Sequence, residues 1–425
     1  MGIFDSFLSD ISTVVKDFGP ALQHTWFVFF PAVFYYLFKT LWMDFVQIRY
    51  LKSLENIVLE IIPPREIEKS PKLMESFFAG FAGTYKTFNT KEKFCDGQLP
   101  ARLSLELVSD GGRMHFYLKT QKALRSLVEA NLYAQYPDAQ IFEVPDYVGD
   151  VPKLMPNRDW DLWGVDFDFQ NPDPYPLKTY RDFEESVTGK MIDPLSAVLE
   201  VMAKLPPGQK IWFQIIIYAK SEGDSFKEGK TAIEIFTGRK KKEKPLGDRI
   251  LTDIADIFNN LPTAFNAGEV QFTKEVKKEE QPIEFKLTPG EKETLKALEA
   301  NTGKNTFGAK VRFIYLGRKD NFDKSFVSSF VGSIKQFNDS NYNALKPNNV
   351  SKTYASYMFA NARLRYRQRK IFQRYIDRDP TGVMISLSTS ELATMFHLPD
   401  MSVVAPSITR VEAKRGGAPT NLPIE

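Results

Sequence analysis

The sequence predicts an α+β fold in which the order β-α-β-β-α-β occurs twice. Its 425 residues are enough for two or three domains, and 43% hydrophobic and 13% aromatic residues can build sizeable cores. Segments in which apolar and polar residues alternate are interleaved with segments in which apolar residues recur at helical spacing. The formal net charge is only +3, so any nucleic-acid contact must depend on a local basic patch.

The first β-α-β-β-α-β unit is predicted over residues 51–150. Two of its strands alternate in hydrophobicity and are joined by "DGG", which is typical of a hairpin turn. Ser70 and Pro71 predict the start of the first helix, as N-cap and first-turn residue. In chain order, the six segments are "NIVLEIIPP", "SPKLMESFFAGFAGTY", "ARLSLELVS", "RMHFYLKT", "TQKALRSLVEANLYAQYP" and "AQIFEVPDY". This is the ferredoxin-like plan, an antiparallel sheet with two helices on one face.

The same order is predicted again over residues 151–350, as a second ferredoxin-like module. Its segments are "DLWGVDFDF", "IDPLSAVLEVMAKLPPG", "QKIWFQIIIYAK", "FGAKVRFIYLGR", "DNFDKSFVSSFVGSIKQF" and "SNYNALKPN". Between its second and third strands we expect a helical insertion, residues 221–305, with charged, solvated links. The insertion contains two helical patterns, "LGDRILTDIADIFNNL" and "LTPGEKETLKALEAN".

The N-terminal residues predict attachment to a membrane. Residues 1–17 form an amphipathic helical pattern, and residues 18–50 a membrane segment with a juxtamembrane helix. Residues 18–38 contain no formal charge and are just long enough to cross a bilayer core. Pro20 and Pro31 leave open a kinked span, or a helix that enters without crossing, and a soluble helical hairpin is the alternative. The predicted membrane residues are Trp26, Phe27, Phe30, Phe34, Tyr35, Tyr36 and Trp42.

Charges flanking this segment predict its orientation. Lys16 is the one basic residue before it, whereas Lys39, Arg49 and Lys52 follow it. The positive-inside rule therefore places the body of the chain in the cytoplasm, at the inner membrane. A single cysteine, Cys95, agrees with a reducing compartment.

The sequence contains none of the common catalytic motifs. The stretch "NTGKNTFG" lacks the spacing of a phosphate-binding loop, and neither G-x-G-x-x-G nor G-x-S-x-G occurs. Asp166 and Asp168 share one face of a predicted strand, which is the best geometry for a metal or acid–base site, yet solvated edge charges are the favoured interpretation. We therefore expect no enzymatic activity, no cofactor and no metal.

Two candidate interaction elements are predicted within residues 351–400. A basic helix carries Arg363, Arg367, Lys370 and Arg374 in one stripe, for phosphates, lipid headgroups or an acidic partner. Pairing of these cations with acids of the same fold is the alternative. A short helix in "STSELATMFHLPD" is predicted to dock a partner, and residues 401–425 to form a Pro/Gly-containing linker. The docking residues are Glu391, Leu392, Met395, Phe396 and His397.

These stretches together resemble the N-terminal, non-catalytic region of membrane-tethered type IV secretion and conjugation ATPases, the coupling-protein-like branch of hexameric DNA translocases. The resemblance depends on the apolar N-terminal segment and on four motifs. The motifs are "LEIIPPREIEKSPKLMESFFAGFAGTY", "VRFIYLGRKDNF…SFVGSIKQFNDSNYNAL", "RQRKIFQRY" and "LSTSELATMFHLPD…ITRVEAKRGGAPTNLP". In that family the last motif leads into the ATPase domain, and no Walker lysine can be carried over to this chain.

The resemblance implies a membrane-anchored, non-catalytic assembly or regulatory protein of a DNA- or protein-transfer system. Its expected partners are the membrane and a separate P-loop ATPase or other secretion-system subunits. DNA and further copies of the chain stay open as partners. The alternative function is a DNA-binding accessory factor that uses the arginine stripe.

Overall fold

A computed structural model describes residues 27, 30–64, 71–183, 192–239 and 287–400. The chain divides into two compact units, the first made of Met1–Asn56 with Lys86–Pro100 and the second of Ile57–Tyr85 with Ala101–Glu425. The predicted amphipathic helix of residues 1–17, the first insertion helix and the linker of residues 401–425 lie outside the described residues.

In the first unit, helix α1 (residues 30–53) packs on the segment that contains helix α3 (Thr90–Phe94). The Trp42 indole N–H donates to the carbonyl oxygen of Phe94 at 2.8 Å. Asn89 begins α3 with a capping box, since its side chain accepts from the backbone N–H of Glu92 and the Glu92 carboxylate accepts in return. These contacts fix α3 to the middle of α1.

Helix α1 exposes a large apolar surface. Tyr35 and Tyr36 are 68% and 70% exposed, and Phe30, Phe34 and Trp42 are also exposed. Across the described parts of the chain, no helix combines the length and the hydropathy needed to cross a bilayer. The predicted hydrophobic membrane helix is therefore unsupported there. Trp26 and several neighbouring residues of the predicted segment are outside the described ranges.

The second unit contains one nine-stranded sheet. Eight strands follow one another in the order β4-β1-β3-β2-β6-β7-β5-β8, and β9 pairs with β7. The strands are β1 (Asn56–Ile62), β2 (Arg102–Asp110), β3 (Arg113–Gln121), β4 (Gln140–Val144), β5 (Trp160–Phe169), β6 (Gln209–Ala219), β7 (Thr306–Arg318), β8 (Leu345–Pro347) and β9 (Ile385–Ser388).

The eight predicted strands are all confirmed, and the mixed α+β class with them. β9 was not predicted, because four residues are too few to show an alternation.

The remaining helices belong to the second unit. They are α2 (Lys72–Ala82), α4 (Arg125–Gln135), α5 (Ser196–Ala203), α6 (Glu222–Phe236), α7 (Pro289–Thr302), α8 (Ser325–Ile334), α9 (Ala360–Ile376) and α10 (Thr389–Met395). Helices α6 and α7 pack against each other. In the chain they lie between β6 and β7, where the helical insertion was predicted.

Strands β2 and β6 join the two halves of the sheet. They pair antiparallel along their whole length, from Arg102 opposite Tyr218 to Asp110 opposite Lys210. The hairpin between β2 and β3 turns at Gly111 and Gly112, whose φ angles of +54° and +88° favour glycine. The sheet is therefore continuous across both predicted modules.

Both faces of the sheet are covered. Helices α2, α4, α5, α8 and α10 contribute to a large apolar core on one face, which includes Phe78, Phe213 and Phe313. On the other face, α9 and the segment after β4 cover a smaller core around Trp212 and Tyr375. Charged side chains of the central strands lie buried beside this second core, and they position the site described next.

Candidate anion-binding site

Helix α9 contacts the sheet through one apolar face. Ile371, Phe372 and Tyr375 are buried, and the rings of Phe372 and Tyr375 stack on Trp212 of β6. Apolar residues at spacings of three and four positions produce this face, as the sequence predicts. The cationic residues of the helix consequently lie along its flank and outer surface.

A cavity of about 440 Å³ lies beside α9. All four cations of the predicted stripe line this cavity, and Lys310 of β7 is a fifth. Asp166 of β5 is the one carboxylate among the lining residues, so the formal charge of the lining is +5 − 1 = +4. The other lining residues are Asn348, Val350, Ser351, Tyr366, Ile371, Gly382 and Val383.

The buried end of the cavity is an ion-pair cluster. The Asp166 carboxylate lies 2.7 Å from Nε of Arg312 and 3.1 Å from Nζ of Lys310. Lys310 also donates to the carbonyl oxygen of Val383 at 2.7 Å. Burial lowers the pKa of Lys310, Asp166 opposes this, and the charges of Arg312 and Arg374 lower it further. An anion in the cavity would offset that repulsion between cations.

Gly382 lies close to two of the cations, in a backbone conformation that favours glycine. Its φ is +103°, and a Cβ atom there would lie 3.5 Å from Nζ of Lys310 and 3.8 Å from a guanidinium nitrogen of Arg374. The guanidinium of Arg374 is 3.7 Å from the Asp379 carboxylate, which is longer than a hydrogen bond. Lys310 and Arg374 therefore both lie close to Gly382 in the lining of the cavity.

Lys370 and Arg363 are the most available cations. Both are exposed. Within the described residues, the Lys370 ammonium contacts only Tyr366, 3.4 Å from its hydroxyl and 5.4 Å from the ring centroid. To the part of the chain that the structure describes, Arg363 donates one hydrogen bond, to the carbonyl oxygen of Ser356 at 3.1 Å, and its other N–H groups can bind a ligand.

Arg367 has a different role from the one predicted. One terminal nitrogen of its guanidinium donates to the carbonyl oxygens of Lys352 at 3.1 Å and Tyr354 at 2.5 Å. A third, longer contact reaches the carbonyl oxygen of Asn349 at 3.4 Å. Arg367 therefore holds the preceding loop against α9, and its charge adds to the field of the cavity.

A second buried network lies on the same face of the sheet. The Arg378 guanidinium makes paired hydrogen bonds to Glu106 of β2, at 3.0 Å each, and to Asp146, at 2.8 Å each. Complete burial by itself would raise the pKa of Glu106, but Arg378 and the hydroxyls of Ser104 and Tyr147 hold it below its ordinary value. Lys119 also pairs with Asp146 at 2.8 Å, so each carboxylate has a cation and we assign this network to stability.

The residues predicted to dock a partner are buried. Glu391, Leu392, Met395, Phe396 and His397 are each at most 2% exposed. Ser388 caps α10 with a capping box, but the helix packs in the larger core. This corrects the docking prediction: amphipathic spacing predicts an apolar face without saying which surface covers it, and here the chain's own core does.

The other polar candidates have structural partners. Asp166 is in the ion-pair cluster, and the His397 imidazole lies 3.0 Å from the Asp193 carboxylate. His115 of β3 contacts Glu60 at 2.6 Å. Where the structure describes the chain, no group of three or more potential ligands could hold a metal ion.

The fold and the site together define an α+β protein with a strongly cationic cavity beside a surface helix. The family model described as "Domain of unknown function (DUF8128)" matches residues 58–411, and the chain belongs to this family. No curated protein matches the sequence.

Proposed function

We propose that this protein is a membrane-attached, non-catalytic binding module whose cationic cavity takes a phosphate-bearing partner. The observation that carries the proposal is the convergence of five cations on one cavity that has a single carboxylate. That carboxylate is already neutralised by Arg312, so the lining has a surplus of positive charge. Arginine and lysine in such a setting bind phosphate oxygens through charge-assisted hydrogen bonds.

The architecture within this proposal is a pair of ferredoxin-like modules. Strands β4-β1-β3-β2 of the first half and β8-β5-β7-β6 of the second half follow the same order. This common order supports the tandem arrangement, with the modules joined through their second strands.

The biological setting that we propose follows from the family resemblance and from α1. The protein would act as an assembly or regulatory component of a type IV secretion or conjugation-like system at the inner membrane, with its bulk in the cytoplasm. The exposed aromatic side chains of α1 support membrane attachment. A separate P-loop ATPase would contact an exposed surface rather than the buried face of α10. Recovery of such an ATPase with the detergent-solubilised protein tests this setting.

The test of phosphate binding is titration with inorganic tripolyphosphate by calorimetry. We expect saturable binding to the full chain and at least a tenfold weaker affinity for Arg363→Gln/Lys370→Gln, since each lost charge-assisted bond contributes about 1.5–3 kcal/mol. The matched control is Arg318→Gln/Lys319→Gln, which removes the same charge from two exposed positions at the end of β7. Equal weakening by both double variants would mean that net charge alone accounts for binding.

DNA is the second candidate partner, because Arg363, Lys370 and Arg374 repeat along one side of α9. The affinity for a labelled DNA duplex should then fall as the salt concentration rises. A plot of log affinity against log salt should have a slope of about −0.9 for each phosphate contact. The same pair of double variants separates a specific from a general effect: only Arg363→Gln/Lys370→Gln should flatten the slope.

A further inference from the structure

The loop that leads into α9 exposes an unusual run of apolar side chains. Tyr357, Met358 and Phe359 are 90%, 77% and 78% exposed, and Val350 at the cavity wall is 81% exposed. The φ angles of Tyr357 and Phe359 are +69° and +57°, which bulky residues rarely adopt. Such backbone strain persists only where the surroundings enforce it, and it is concentrated at functional sites.

The base of this loop is firmly attached to the sheet. Thr353 donates its backbone N–H to the carbonyl oxygen of Gly164 at 3.0 Å, and its hydroxyl accepts from the N–H of Gly164 at 2.9 Å. The Ser351 hydroxyl accepts from the N–H of Asp166 at 2.9 Å. Arg363 binds the carbonyl oxygen of Ser356, and Arg367 binds that of Lys352. The tip of the loop, residues 357–359, is therefore presented on a rigid support.

Residues at both ends of this loop line the cavity. Val350 and Ser351 line the cavity at one end of the loop, and Arg363 lines it at the other. An apolar projection thus lies within a few residues of a pocket with a surplus of cations. This is the chemistry of a protein surface that meets a bilayer, where aromatic and aliphatic side chains enter the interface and basic residues bind lipid phosphates.

We propose that Tyr357, Met358 and Phe359 insert into the interface of an anionic phospholipid bilayer, and that the cavity beside α9 binds the phosphate of a lipid headgroup. This inference rests on the proposed phosphate binding and identifies a lipid headgroup as the source of the phosphate. Met358 and Val350 favour lipid over nucleic acid, because aliphatic side chains offer no stacking surface to bases. The charge surplus of the cavity matches an anionic headgroup rather than a zwitterionic one.

The experiment reports on the tip itself, so that attachment through α1 does not interfere. An environment-sensitive fluorophore is placed on Met358→Cys in a Cys95→Ser background, since Cys95 is exposed and would also be labelled. Vesicles of phosphatidylcholine alone, and of phosphatidylcholine with 30% phosphatidylglycerol (about three in ten lipids, a typical anionic content), are then added. We expect a blue shift and a several-fold rise in emission with the anionic vesicles only. A label on Lys292→Cys, an exposed residue of α7, should not respond.

The cavity is tested in the same assay. Arg363→Gln/Lys370→Gln should weaken the affinity for anionic vesicles, read from this response, roughly thirtyfold. The reason is that each basic residue contributes about 1 kcal/mol at an anionic surface. Arg318→Gln/Lys319→Gln should leave the response within about threefold of the unsubstituted protein.

The possible failures are distinguishable. If tripolyphosphate binds but the label at position 358 never leaves water, the lipid inference is wrong and the proposed function stands. If neither is observed, both are wrong. An equal response to both vesicle types contradicts headgroup binding in the cavity, and a response to single-stranded DNA alone would replace lipid by nucleic acid.

Discussion

At the scale of single residues, Arg378 makes the largest set of buried charge contacts. It neutralises Glu106, which is fully buried on the covered face of the sheet, and it shares Asp146 with Lys119. Arg378→Met should therefore lower the free energy of unfolding by about 3–5 kcal/mol, as when one partner of a buried ion pair is removed. Urea titration measures this loss. Arg369→Met, on the exposed side of α9, should change it by less than about 0.5 kcal/mol, and similar losses for both variants would contradict the assignment.

Glu391 makes stability depend on pH near neutrality. Complete burial raises the pKa of Glu391 to about 7, although hydrogen bonds from Ser388 and Leu177 and the charge of Lys304 oppose the rise. Since the unfolded chain releases this proton at a lower pH, the contribution is fully present below about pH 4.5 and is lost as pH rises through 7. The expected loss is about 2.5 kcal/mol between pH 5 and pH 8.

Glu391→Gln tests this pH dependence, because glutamine has no proton to release. Thermal or urea unfolding at pH 5, 6, 7 and 8 should show a flatter profile for the variant than for the unsubstituted protein. Parallel profiles would show that another group is responsible. The control is Glu291→Gln in the exposed capping box of α7, which should leave the slope above pH 5 unchanged.

At the scale of elements, the loop before α9 depends on Arg367. Arg367→Ala removes the hydrogen bonds to the carbonyl groups of Lys352 and Tyr354. We expect hydrogen exchange to accelerate about tenfold or more across residues 352–359, because about 1.4 kcal/mol corresponds to a factor of ten. Arg369→Ala is the matched control, and unchanged exchange in Arg367→Ala would contradict a loop-holding role.

Most elements of the second unit could be predicted from residue patterns, since alternation and helical spacing are local properties. The cationic stripe of α9 could be predicted in the same way. Lys310 and Asp166 could not be placed beside it, because their contribution to the cavity depends on strand order and register. Glu106 occupies a polar position of an alternating strand and is nevertheless fully buried, since α9 covers the face that alternation predicts to be solvated.

At the scale of the whole second unit, the pairing of β2 with β6 should make both halves of the sheet unfold together. Leu107→Ala, in the large core, should cost about 2–5 kcal/mol. We expect hydrogen exchange under native conditions to show an equal loss of protection in β3 and in β7. A loss confined to β1–β4 would show that the two halves open separately.

The position of Arg378 also has a consequence for biosynthesis. Glu106 is translated more than two hundred residues before the cation that matches it. While the ribosome is still making the middle of the chain, strand β2 holds an acid that cannot be dehydrated without a large penalty. The nascent N-terminal half should therefore stay incompletely packed, and susceptible to proteases, until residue 378 has left the exit tunnel.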